Sequence, residues 1–121
     1  SVVATTRVAL ELMKQGTHLR KKAWENANDL HERLSAIGLN IGKTVSPIVG
    51  ASFSDDVLGY SFWNKLLDLG VYTNLILPPA APDGGSVIRC SVTAAHSRAQ
   101  IVCIGDAFAR VAESLGLGKA A

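Results

Sequence analysis

The sequence contains no glycine-rich phosphate loop, no Gly-x-Ser-x-Gly nucleophile elbow, and no cysteine or serine with an obvious histidine partner. Taken alone, the chain therefore lacks a complete catalytic apparatus. It is also poor in charge. Only 18% of residues are charged, and 12 cations against 10 anions leave a net charge of +2, too weak to argue for nucleic acid as a partner. The two cysteines, Cys90 and Cys103, fit no zinc or thioredoxin spacing, and His18, His31 and His96 share no metal spacing. Both cysteines read as small buried hydrophobes, Cys103 on an apolar helix face, and reduced thiols fit a cytoplasmic protein. No window approaches the ~20 apolar residues of a membrane span. The opening Ser1-Val2-Val3 lacks the charged-then-apolar pattern of a secretion signal, and the missing initiator methionine suggests a fragment or processed chain.

What the chain does have is apolar surface. At 121 residues it is one domain by length, yet 48% of it is hydrophobic and the mean hydropathy is +0.23. The excess implies a face meant to be covered by a partner domain or subunit. Charge is unevenly placed: up to Ile37 six cations (Arg7, Lys14, Arg20, Lys21, Lys22, Arg33) meet four anions. The run Arg20-Lys21-Lys22 reads as a solvated helix face.

Periodicity gives the elements. Residues 1–37 read as helix, with Leu12, Leu19, Ala23, Ala27, Leu30, Leu34 and Ile37 on one face. Gly16-Thr17 divides the run, Thr17 capping the second part, and Gly38 ends it. Residues 48–54 read as a strand. Ser54-Asp55-Asp56 caps a helix over 57–69, with Leu58, Phe62, Leu66 and Leu69 as its apolar stripe. Strands follow at 71–77 and 87–92, joined by a loop too short for a helical crossover and so expected to be antiparallel. Ser97 and Gln100 fit a capping box for a last helix over 101–115, whose core positions are Ile101, Ile104, Phe108, Val111 and Leu115. The expectation is an α+β domain: a three-stranded, largely antiparallel sheet with helices on one face. Residues 1–37 form an N-terminal helical segment and 38–121 the α+β domain, the whole being one structural unit.

The chemistry concentrates in residues 71–100. Arg89 sits in the middle of an otherwise apolar strand, and a guanidinium is rarely buried without an anionic partner. It either pairs with a local carboxylate such as Asp83 or clamps the carboxylate of a substrate. Tyr72 and Asn74 alternate on one strand face, lining a pocket or bonding across a domain interface. Pro78, Pro79 and Pro82 stiffen a loop that would wall such a pocket. His96 precedes a helix N-cap and orients that turn by hydrogen bonding. His18 and His31 read as surface residues, and Trp24 and Trp63 as interface or core packing.

Gly70-Val71-Tyr72-Thr73-Asn74, Pro78-Pro79-Ala80-Ala81-Pro82 and Ile88-Arg89-Cys90-Ser91 followed by Ala94-Ala95-His96 resemble the C-terminal domain of the α-oxoamine synthases. These pyridoxal-phosphate enzymes of the aspartate-aminotransferase fold condense an amino acid with an acyl-CoA and release CO2. Within the family the details resemble the serine palmitoyltransferase branch, with Thr73, Ala81 and Ser97-Arg98 as departures. The resemblance implies that Arg89 binds the amino-acid carboxylate, with Tyr72, Asn74 and Pro79 as pocket wall. It implies pyridoxal 5'-phosphate held by a large domain outside this sequence, L-serine and an acyl-CoA as partners, and a homodimer. None of Lys14, Lys21, Lys22, Lys43, Lys65 or Lys119 sits in the family's serine/threonine-rich lysine context. The chain alone is therefore expected neither to hold the cofactor covalently nor to catalyse. A synthase using alanine or glycine, or a non-enzymatic α+β binding or dimerisation module, are the other readings.

Overall fold

A computed structural model describes residues 1–81 and 84–117. The order of elements is α1 (Val2–Gln15), α2 (Thr17–Ile37), β1 (Asn40–Ile41), β2 (Ile48–Phe53), α3 (Asp56–Asp68), β3 (Asn74–Ile76), β4 (Ser86–Ser91) and α4 (Arg98–Ser114). The sheet order is β1-β2-β4-β3, with every neighbouring pair antiparallel. It has four strands where the sequence predicted three. The addition, β1, is two residues long and directly follows the Gly38 cap, too short to show any alternation.

Alternation along the longer strands decides the layers. Val49, Ala51 and Phe53 on β2, and Ile88 and Cys90 on β4, are buried. They meet Leu30 and Leu34 of α2, Phe62 and Leu66 of α3, and Ile101, Phe108 and Val111 of α4 in one core. Full burial of a Leu, Ile or Phe side chain contributes about 1.5–3 kcal/mol. Phe62 ties the layers together, its ring centroid 5.0 Å from Phe53 and 5.4 Å from Phe108. Helix α3 approaches the sheet closely because Gly59 has no side chain: a Cβ there would run into Ser86 Oγ. That hydroxyl instead donates to Asp55 O at 2.8 Å.

The caps are where local sequence is most explicit. Asp55 Oδ1 accepts from Leu58 N at 2.7 Å, starting α3. Ser97 and Gln100 form the expected reciprocal box at the start of α4. Gly70, at φ 78°, ends α3 with Gly70 N donating to Leu67 O and Val71 N to Leu66 O. This turn leaves residues 71–73 extended but outside the ladder, so β3 is shorter than the predicted 71–77 strand.

Two expectations for the N-terminal helices fail. Thr17 does not cap α2: its hydroxyl accepts from Arg20 Nη2 at 3.1 Å, and Arg20 Nη1 also donates to Met13 O, so Arg20 closes the end of α1. Nor is the apolar stripe continuous. Ala27, Leu30 and Leu34 are buried, whereas Leu12 and Leu19 are exposed and α1 buries no residue at all. Packing therefore divides the chain at Gly16: α2 belongs to the core and α1 extends from it. Cys103 is also corrected. It is exposed, on the flank of α4 turned away from the core residues Ile101, Phe108 and Val111. His31 is half-buried rather than a free surface group, with Nε2 2.8 Å from Gly42 O.

Candidate functional site

The helices cover one face of the sheet, and the residues alternating with the core make up the other. On β4 this puts Ile88 and Cys90 inward and Arg89 outward, where it is exposed. The register then fixes its neighbours: Gly50 of β2 lies directly opposite on one side and Asn74 of β3 on the other. Directly opposed side chains share a face, with Cβ atoms about 4.5–5.5 Å apart. The Asn74 amide thus stands beside the guanidinium, and on the Gly50 side no side chain stands at all.

Among the described residues no carboxylate pairs with Arg89; the ion pairs are Lys14–Glu11, Lys21–Glu25, Lys22–Glu25 and Arg33–Asp29. Asp83, the local partner weighed from sequence, lies outside the described residues, as does Pro82. A planar fork of N–H donors on an open sheet face is matched to a carboxylate or phosphate.

Of the other expected residues the register sets only Asn74 beside Arg89, and Tyr72 lines a separate cleft. Tyr72 is 79% exposed and lines a cleft of about 240 Å³ together with His96, Gln100, Cys103 and Ile104. Pro79 is exposed, follows a cis bond from Pro78, and belongs to a turn in which Ala80 N and Ala81 N both donate to Leu77 O. Trp63 is half-buried and donates from Nε1 to Thr73 O at 3.0 Å, holding the start of β3 against α3. Trp24 is 47% exposed.

The turn after β4 is fixed as the sequence suggested, with a contributor it did not reveal. Thr93 N donates to His96 Nδ1 at 3.1 Å. From α2, the buried Asn26 donates through Nδ2 to both Thr93 O (3.0 Å) and His96 O (2.9 Å). Asn26 falls four residues before Leu30 on the stripe that continues to Leu34, so a polar residue at core spacing was the available signal. Cys90, immediately after Arg89, takes no part: burial pushes its thiol up to about 12, which keeps it protonated and inert.

No family model matches the chain. Known proteins do. A serine palmitoyltransferase from Caulobacter vibrioides is 39% identical over 117 residues, spanning 97% of this chain and 29% of that protein. The solved structure of a Sphingomonas paucimobilis serine palmitoyltransferase with a bound PLP–myriocin aldimine superposes with a TM-score of 0.89 at 34% identity, over 96% of this chain and 30% of that one. An 8-amino-7-oxononanoate synthase from Alkaliphilus oremlandii (30% identical) and a 2-amino-3-ketobutyrate coenzyme A ligase from Salmonella typhimurium (32%) each match 97% of this chain, which covers 30% and 29% of their lengths. The chain thus spans under a third of the relatives it matches. An antiparallel sheet backed by helices on one face, superposing this well, is the small C-terminal domain of the fold-type-I pyridoxal-phosphate enzymes. Within that class the chain belongs to the α-oxoamine synthase family, to whose C-terminal part it corresponds.

The described lysines lie away from the open sheet face. No described lysine lies on a strand, and none shares the open sheet face with Arg89. Lys14, Lys21 and Lys22 pair with glutamates on α1 and α2, Lys43 is in the exposed β1–β2 connection, and Lys65 is on α3. Lys119 lies outside the described residues. Among the described residues, no helix is long and apolar enough to cross a membrane.

Proposed function

We propose that this chain is the C-terminal domain of a serine palmitoyltransferase-like enzyme, which condenses L-serine with a long-chain acyl-CoA, releases CO2 and yields 3-ketodihydrosphingosine. The observation that carries the reading is Arg89: a guanidinium projecting from the middle of an open sheet face, beside Asn74, with no carboxylate partner among the described residues. Its role is to hold the amino-acid carboxylate through two parallel hydrogen bonds, which fixes the orientation of the bonds at Cα before any is broken. On this reading Asn74 stands beside the bound carboxylate, and Tyr72 and Pro79 are further pocket wall. Pyridoxal phosphate supplies the electron sink of such a reaction. It is to be held by a large domain outside this chain, and the chain by itself is inactive.

On this reading residues 1–37 are the helical segment leading in from the large domain, its second helix α2 packing into the core of the α+β part at 38–121. The exposed apolar residues of α1, among them Val8, Leu10, Leu12 and Met13, support a surface covered by the rest of the enzyme or by its homodimer mate. A cytoplasmic location agrees with its unpaired thiols. The relatives that are an 8-amino-7-oxononanoate synthase and a 2-amino-3-ketobutyrate ligase favour a second reading, a synthase taking alanine or glycine.

The deciding experiment is the visible absorbance of the longer enzyme with pyridoxal phosphate, before and after L-serine, L-alanine or glycine. A change with L-serine alone, abolished by Arg89→Ala, is expected. A change with alanine or glycine instead moves the substrate. No cofactor band at all overturns the reading in favour of a non-enzymatic module. Borohydride treatment of this chain with the cofactor is expected to label no lysine.

A further inference from the structure

Gly50 is the residue on the open sheet face for which the fold gives no reason. It is the third residue of the six-residue β2 and pairs in register with Arg89 of β4. A glycine inside a strand is unfavourable, because it surrenders more backbone freedom than any other residue and offers no side chain to pack. Two structural demands normally justify it, and neither is present. The backbone is not left-handed, since the positive-φ glycines are Gly38, Gly70, Gly84 and Gly116. Nor is the space filled: a Cβ at Gly50 would meet only Val87 Cγ1, at 3.5 Å, an ordinary van der Waals contact. This contrasts with Gly59, where a Cβ would collide with Ser86. The fold accepts a side chain at position 50 and the sequence withholds one.

The position withheld is the one beside the unpaired guanidinium. Arg89 has Asn74 on its β3 side and open space on its β2 side. Beyond Gly50 along the same face stand Ile48, which is 54% exposed, and Ser52. We propose that Gly50 is a specificity-determining position: the space over it is where the side chain of a small α-amino acid lies when its carboxylate reaches Arg89, and a side chain at position 50 would narrow that space. The inference rests on the carboxylate-binding role of Arg89 given above and adds to it a direction of approach, over β2 rather than over β3.

The test uses the longer enzyme carrying Gly50→Ala, Gly50→Val or Arg89→Lys. The readouts are the equilibrium affinity for L-serine and for glycine by calorimetry, KM against kcat, and the unfolding midpoint. Valine is a good strand former, so the Gly50→Val protein is expected to unfold at or above the parent midpoint. Its affinity for L-serine is expected to fall by about tenfold or more, as a few misplaced methyl groups do in a closed site, with alanine intermediate and glycine as ligand least affected. Unchanged affinity for L-serine in a folded Gly50→Val protein overturns the inference. So does a loss equal for L-serine and glycine, which would mean a general disturbance of β2. Arg89→Lys separates the two claims. If it weakens binding while Gly50→Val does not, the approach over β2 is wrong and the clamp stands; if Arg89→Lys leaves every affinity unchanged, the clamp itself is wrong.

Discussion

The two faces of this sheet are built from alternate residues of the same strands, yet they obey different rules. The covered face is apolar almost without exception: Val49, Ala51 and Phe53 on β2, and Ile88 and Cys90 on β4. The open face mixes Gly50, Ser52, Asn74, Val87, Arg89 and Ser91, all of them half-buried or exposed. The difference separates stability from function along a single strand. Ile88 and Arg89 are consecutive, and only the first holds the domain together.

The sharpest way to break this comparison is to truncate both. Ile88 is 0% exposed, and its replacement by alanine leaves a cavity under α2, α3 and α4. Ile88→Ala is expected to lower unfolding stability by about 2–5 kcal/mol. Arg89→Ala is expected to change it by no more than about 0.5 kcal/mol, as an exposed substitution away from caps and core. Denaturant unfolding of this chain measures both. A comparable loss at the two positions would show that Arg89 is paired in the folded domain, and the division between the faces would collapse.

A middle-sized effect is expected at Asn26, which links the covered side to the end of the Arg89 strand. Asn26→Ala removes both donors to Thr93 O and His96 O in a turn that α2 shields. Losing two part-buried hydrogen bonds of about 0.5–1.5 kcal/mol each costs about 1–3 kcal/mol. Amide exchange of the turn after β4 is expected to accelerate more than that of β1, which Asn26 does not touch. Uniform acceleration across the sheet would place Asn26 in the general core instead.

The covered face was legible in the sequence and the open face only in part. Periodicity named Leu30, Leu34, Phe62, Leu66, Ile101, Phe108 and Val111, because burial imposes a period that any observer of the chain can read. It overreached where that period continued without a partner, as at Leu12 and Leu19 on α1, which are apolar by pattern and exposed in the structure. It also put Cys103 inside, because an apolar residue type was taken for an inward position. On the open face Arg89 was conspicuous for being charged in an apolar strand. Gly50 was invisible, since its meaning comes from the register of β2 against β4, and register is a property of pairing that one strand does not carry. Asn26 was missed for the same reason: its partners lie 67 and 70 residues away.

Among the described residues, the covered side has an unsatisfied buried side chain just ahead of β3, and it offers the smallest and most discriminating test. Thr73 is 4% exposed, and its hydroxyl Oγ1 has no hydrogen-bond partner, although its carbonyl is taken by Trp63 Nε1. A hydroxyl carried out of water without a partner is a cost, and valine has the same shape without it. Thr73→Val is therefore expected to raise stability by about 1 kcal/mol, seen as a higher denaturant midpoint at unchanged slope. The sign is opposite to that at Ile88, although both residues are buried. A loss of stability would show that the hydroxyl is satisfied in the folded protein, and would move Thr73 from the covered layer to the polar edge that β3 shares with Asn74 and Arg89.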